Sequence, residues 1–185
     1  MSNAHQDKKI EKILILGLDN SGKTSILLTL QKEVNLLSFY SLKPTHGINI
    51  VTIEDENANT KYSIWEFGGQ KQYREDYLKN LQRYTQEATK IIYVIDVQDI
   101  NRYDLALDYF KSIFELLDLK KDNIQLSIFL HKFDPHLENN EEFSYKKISS
   151  RLLNKISAII PPGYSYSIFK TTIYTVFQKT LLESV

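Results

Sequence analysis

The sequence predicts an α/β fold, a six-stranded, mostly parallel sheet with one antiparallel hairpin strand and helices on both faces. Three observations predict it. Apolar runs of strand length alternate with segments whose apolar residues recur at helical spacing. The run Lys12 to Leu16, "KILIL", passes directly into Gly17 to Thr24, "GLDNSGKT", which sets a glycine turn between a buried strand and a helix. Finally, "INIVTIE" and "KYSIWEF" both alternate around the turn residues "DENANT", which makes one hairpin.

In chain order, the first strand is Ile13 to Leu16 and the helix after the glycine turn runs from about Gly22 to Lys32. "EVNLLSFYSLKPTHG" has no clear periodicity and reads as a loop. The hairpin follows. "KIIYVID", "IQLSIFL" and Tyr166 to Phe169 supply the remaining buried strands. Between them, Asp104 to Leu117 carries Leu105, Ala106, Tyr109, Phe110, Ile113 and Phe114 at helical spacing. Tyr145 to Ile160 does likewise and is ended by Pro161-Pro162-Gly163. His136 to Lys147 reads as a solvated loop and helix start. No repeat or linker intervenes, so residues 11–185 read as one domain, preceded by an extension of residues 1–10 that reads partly as a tag.

Composition narrows the function classes. With 185 residues and 42% hydrophobic content the chain buries one substantial core. Lys plus Arg and Asp plus Glu are 23 each, so no net field favours nucleic acid or an anionic membrane surface. Cysteine is absent from the sequence, which excludes disulfides, thiolate zinc sites and thiol lipidation within it. The second residue is Ser2, not a myristoylation glycine, and the apolar runs are too short to span a bilayer. The expectation is a cytoplasmic protein without its own membrane anchor.

Gly17 to Thr24 fits G-x-x-x-x-G-K-[ST] between a strand and a helix, where backbone N–H groups cradle phosphate. The phosphate ligands expected are Asp19, Asn20, Ser21, Gly22, Lys23, Thr24 and Ser25, with Lys23 on the terminal phosphates and the Thr24 hydroxyl on Mg²⁺. Kinases, ATPases and GTPases all share such a loop. Two later stretches separate them. In "PTHGIN" a loop residue, Thr45, is placed to cover the γ-phosphate and add a second hydroxyl to Mg²⁺. In "WEFGGQ", Glu66 is the candidate for holding the metal, the Gly69 N–H for meeting the γ-phosphate, and Gln70 for orienting the attacking water as the catalytic residue.

"SIFLHKFD" then supplies the base reader. The Asp134 carboxylate can accept from both N1–H and the N2 amino group of guanine, whereas adenine offers an acceptor at N1 and no N2 amino group. The Lys132 stem can cover one face of the ring. A nucleoside kinase needs a basic lid, but Arg74, Arg83, Arg102 and Arg151 are widely scattered. Arg74 reads better as a solvent-facing residue than as an internal arginine finger. His46 reads as solvent-facing, and His5 and His136 as exposed chain without a role.

On these residues the chain resembles the Ras-superfamily small GTPases, a P-loop NTPase small G domain. "GLDNSGKT", "PTHGIN" and "IWEFGGQ" resemble the P-loop and two switches of Arf proteins, while "IIYVIDVQD", "HKFD" and "FKTTIY" are similar to Rag (Gtr) patterns. The resemblance implies that His131 serves the base end of the site in place of the usual asparagine. It also implies that the Ile173 N–H, supported by Thr172, meets the guanine O6. GTP or GDP with Mg²⁺ is the implied cofactor set, and Glu66 replaces the aspartate usual in relatives. Implied partners are effectors, GTPase-activating proteins and exchange factors at the switch surface, with no nucleic acid. By analogy a G-domain dimer or a roadblock or longin partner is implied, and recruitment to membranes falls to partners. Ile48, Ile50, Trp65, Tyr73 and Tyr77 are candidates for a nucleotide-gated apolar patch; core packing is the competing explanation for each, and the better one for Ile50. The competing reading is a GTP-occupied scaffold that hardly hydrolyses, because of Glu66.

Overall fold

The computed structural model describes residues 8–31, 36–117 and 124–174. Six strands form one sheet in the order β2-β3-β1-β4-β5-β6: β1 (Lys9–Gly17), β2 (Ile48–Asp55), β3 (Thr60–Phe67), β4 (Ala88–Asp96), β5 (Gln125–His131) and β6 (Tyr166–Lys170). Only the β2–β3 pair is antiparallel. The helices are α1 (Lys23–Thr29), α2 (Lys71–Lys79), α3 (Leu81–Thr85), α4 (Tyr103–Leu116), α5 (Tyr145–Ile148) and α6 (Asn154–Ile159). A π-helical stretch, Ser149–Leu153, joins α5 to α6.

Strand alternation sorts the core into two layers. Leu14 and Leu16 of β1 join Ile91, Tyr93 and Ile95 of β4 and Leu126, Ile128 and Leu130 of β5 against Phe110, Ile113 and Phe114 of α4 and Ile156 of α6. Ile15, Ile64, Ile92 and Val94 point the other way, onto Ile26 and Leu27 of α1. Helices thus cover both faces, as expected. Strands buried on both sides read as unbroken aliphatic runs, which is why "KILIL" and "KIIYVID" lack alternation.

Several boundaries differ from the sequence expectation. β1 begins at Lys9, because the residues through Lys12 pair with Thr60 to Ser63 of the hairpin. Residues 1–7 of the expected extension, including His5, lie outside the described residues, as does Lys32 at the expected end of the first helix; α1 itself ends at Thr29. α2 and α3 escape the sequence reading because "KQYREDYLK" has too few apolar residues to show a face. In α4, Leu105 is 42% exposed while Tyr103 and Leu107 are buried in its place. Ile50 is likewise 52% exposed on the edge strand β2, so it is not a core residue. Among the described residues, no helix is long and apolar enough to cross a membrane.

β1, β3, β4, β5 and β6 run in one direction, and their C-terminal ends converge on one rim. From β1 the chain goes to one side for β2 and β3, then returns to the other side for β4. The loop after β1 therefore opens at the point where strand order reverses, which is where open α/β sheets hold ligands.

Candidate functional site

The loop from Gly17 to Thr24 wraps the start of α1. Asn20 sits in the left-handed region at φ 59°, Gly22 at φ 92°. A Cβ on Gly22 would lie 2.3 Å from His131 Cδ2, so only glycine lets the loop rest on that ring. The opposite wall is as tight. A Cβ on Gly69 would fall 2.0 Å from the Asp19 nitrogen, so the loop after β3 lies directly on the phosphate-loop backbone.

Between these walls is a cavity of about 250 Å³, lined by Asp19, Asn20, Gly22, Lys23, Thr24, Ser25, Thr45, Glu66, Gly69 and Gln70, with Leu42, Lys43 and Pro44. All the phosphate, metal and water-orienting candidates read from the sequence meet there except Ser21. Ser21 is buried behind the loop, where its hydroxyl accepts from Lys23 Nζ at 3.5 Å. Lys23 is only 5% exposed, and its ammonium donates to the carbonyls of Gly17 at 3.0 Å and Leu18 at 2.5 Å. Burial pushes it down from 10.5 to about 8, against the attraction of Glu66 and Asp19.

Glu66 is fully buried at the end of β3. Its Oε1 accepts from the hydroxyls of both Thr24 and Thr45, the latter at 3.0 Å, and Oε2 accepts from Asn49 Nδ2 at 3.3 Å. The two hydroxyls are themselves 3.2 Å apart. Two hydroxyls and a carboxylate converging in one cavity form an all-oxygen donor set of the kind that suits a hard cation such as Mg²⁺. Through Oε1 the Glu66 carboxylate is thus in direct contact with both threonines.

The base-reading candidates form a second cluster beside the first. Asp134 is half-buried; its Oδ1 accepts from Thr172 Oγ1 at 2.5 Å and its Oδ2 from Gln98 Nε2 at 2.8 Å. Lys132, at φ 60°, pairs its ammonium with Asp96 at 2.7 Å. His131 Nδ1 lies 2.9 Å from the Thr171 hydroxyl, and burial, then Lys132, hold its pKa below the ordinary 6.5, so the ring stays neutral near pH 7. Packed on Gly22, it joins the two clusters. Ile173 turns its half-buried side chain onto the α1-side core.

Arg102 is one of four arginines scattered along the sequence, with no motif around it. It reaches from the start of α4 to the phosphate loop, donating to both Asp19 carboxylate oxygens at 3.1 Å and to the Asp19 carbonyl at 2.9 Å, while its Nε holds Asp99 at 2.5 Å. A contact this distant in sequence has no local signal. Arg102→Ala is expected to free the loop by about 1 kcal/mol, the scale of a half-exposed pair. Amide exchange at Asp19 to Gly22 then speeds roughly fivefold; unchanged exchange contradicts this clamp.

Other expectations are corrected. Arg74 is not solvent-facing: its guanidinium lies over the Tyr109 ring at 5.3 Å, and its Nε is buried without a hydrogen-bond partner among the described residues. Tyr77 is buried and donates to the Gly47 carbonyl at 2.8 Å, so it is no part of an exposed patch. His46 is exposed as read, yet it bonds the Tyr73 hydroxyl at 3.0 Å. With the Gly68 N–H also on the Gly47 carbonyl at 2.9 Å, these contacts latch the "PTHGIN" loop to the segment after β3. Ile50 stands opposite Trp65 in the β2–β3 register and is largely exposed, whereas Ile48, Trp65 and Tyr73 are partly buried and pack against the α4-side core, so each offers only part of its side chain to an apolar surface.

A model of the ADP-ribosylation factor family matches residues 1–176. The chain is 38% identical over 127 residues to ADP-ribosylation factor-like protein 3 of Chlamydomonas reinhardtii, covering 66% of this chain and 63% of that protein. It is 37% identical over 115 residues to ADP-ribosylation factor 1 of Brassica rapa subsp. pekinensis, covering 60% of this chain and 56% of that protein. The chain thus spans 56–63% of the length of these relatives. Among solved structures, the Arl6 BBS3 small GTPase from Trypanosoma brucei with bound nucleotide analogue GppNp has a similar fold. Its TM-score is 0.69 at 17% identity, covering 89% of this chain and 87% of that one.

Proposed function

The chain belongs to the ADP-ribosylation factor family, and on that premise we propose that it is a nucleotide-controlled switch that binds GTP and GDP with Mg²⁺ and hydrolyses GTP slowly. The observation that carries this reading is the meeting of Lys23, Thr24, Thr45, Glu66, Gly69 and Gln70 around one cavity at the sheet's reversal point. Lys23 holds the terminal phosphates, the Gly69 N–H meets the γ-phosphate, and Gln70 orients the attacking water. Thr24, Thr45 and Glu66 hold Mg²⁺, which when bound neutralises charge on the phosphate oxygens. Asp134 reads guanine, with Thr172 and the Ile173 N–H beside it. Asp19, Asn20, Ser21, Gly22 and Ser25 frame the phosphate loop.

Residues 11–185 then form the G domain, and Ile48, Ile50, Trp65 and Tyr73 offer the surface for effectors, activating proteins and exchange factors. The protein is cytoplasmic and reaches membranes through partners. A Rag-like second half, and with it a dimer or roadblock or longin partner, rests on Ile91 to Asp99, His131 to Asp134 and Phe169 to Tyr174 and not on the relatives named above.

The scaffold reading is favoured by one observation, the direct hold of Glu66 on both threonine hydroxyls. Single-turnover conversion of GTP to GDP at fixed magnesium separates the two. A working switch shows measurable hydrolysis, reduced about 100-fold by Gln70→Leu through loss of a positioned group, with Glu66→Asp neutral or slower. Faster hydrolysis in Glu66→Asp, cancelled by adding Gln70→Leu, supports the scaffold reading instead.

A further inference from the structure

We propose that Gln98 is a specificity-determining residue that makes the Asp134 carboxylate demand the 2-amino group of guanine; this rests on the guanine reading of Asp134. Gln98 follows β4, within the stretch "IIYVIDVQD". Its Nε2 donates to Asp134 Oδ2 at 2.8 Å and to the Lys132 carbonyl at 2.8 Å, using both amide hydrogens. The residue is itself anchored, because its backbone N–H donates to Asp96 Oδ1 at 2.9 Å. Asp96 in turn is buried and holds Lys132 through its other oxygen. One side chain thus ties the end of β4 to both ends of the base-reading segment Lys132 to Asp134.

A carboxylate has about four lone-pair positions, two on each oxygen. The Thr172 hydroxyl takes one on Oδ1 and the Gln98 amide takes one on Oδ2. One acceptor position is left on each oxygen, matching the two donors of guanine, N1–H and N2–H. Held at both oxygens, the carboxylate cannot turn about its Cβ–Cγ bond to serve a base with a single donor. Hypoxanthine, which lacks the 2-amino group, leaves one oxygen short of a partner in that fixed frame. Without Gln98 only the Thr172 tie on Oδ1 remains, and the carboxylate can pivot about it to accommodate either base.

The experiment is displacement of a fluorescent GDP analogue by GDP, IDP and ADP from the wild-type protein, Gln98→Leu and Gln98→Lys. The wild type prefers GDP to IDP. Gln98→Leu lowers that preference about fivefold, the equivalent of one neutral hydrogen bond. Gln98→Lys keeps a donor toward Asp134 and retains the preference. Equal weakening of GDP and IDP in Gln98→Leu, or an unchanged ratio, overturns the proposal, because a merely structural tie to Lys132 moves both nucleotides together. A wild type that does not prefer GDP to ADP overturns the guanine reading itself, whatever Gln98 does.

Discussion

Lys23→Ala is expected to lose nucleotide affinity by about 2–5 kcal/mol, roughly 30- to 5,000-fold, the cost of removing one partner of a buried charge pair. The ammonium is almost wholly buried and, among the described residues, donates to two backbone carbonyls and a serine hydroxyl, so the loop around it is built to hold a cation facing an anion. Without nucleotide that burial is unfavourable, which is why the group is pushed down to about 8. Between pH 8 and 10.5 the unfolded chain keeps a proton that the folded chain has released. Stability of the nucleotide-free protein therefore rises with pH across this window, by up to about 3 kcal/mol. Nucleotide affinity falls over the same range as the charge that meets phosphate is lost. Titration of a fluorescent GDP analogue against both proteins, repeated from pH 7 to 10, checks the affinity sign, and denaturant unfolding of the nucleotide-free wild type over the same range checks the stability sign; undiminished binding by Lys23→Ala contradicts the phosphate role.

Asp134→Asn should cost about 2–4 kcal/mol of guanine affinity, since a bidentate charged contact is lost in a partly desolvated site. The surroundings add to the loss. Thr172 and Gln98 both donate to the carboxylate, whereas an asparagine amide offers an oxygen to only one of them and turns its NH₂ on the other. Xanthine, which presents an acceptor where guanine has its 2-amino group, should gain in relative terms. Binding of GTP, ATP and XTP to both proteins measures this, and an unchanged GTP affinity would place base reading elsewhere.

The phosphate half of the site was legible because its signals are local: consecutive residues in one loop, and single residues at the ends of neighbouring strands. Gly17 to Thr24 announces itself by spacing, and Glu66 to Gln70 by standing where a buried strand stops. The strands were legible for a related reason, since runs such as "KIIYVID" are too apolar to lie anywhere but inside a sheet. What stayed hidden was tertiary. Arg102 reaches Asp19 across 83 residues, Gln98 reaches Asp134 across 36, and each is an ordinary polar residue in its own neighbourhood. α2 was missed because its buried side is nearly one residue wide, Tyr77 with partly covered Tyr73 and Leu78. The burial of Arg74 is not legible because nothing in "YREDY" tells of the Tyr109 ring on α4.

The central claim, magnesium-linked binding of guanine nucleotide by the cavity that joins Thr24, Thr45 and Glu66, is tested most directly by nucleotide release. Freshly purified protein is denatured and its bound nucleotide identified, and dissociation of a fluorescent GDP analogue is then followed with excess magnesium and with EDTA. GDP or GTP in the extract and release that speeds at least about tenfold in EDTA are the predicted results, tenfold corresponding to 1.4 kcal/mol of metal-dependent hold. Adenine nucleotide in the extract, or release at the same rate with and without magnesium, would contradict it.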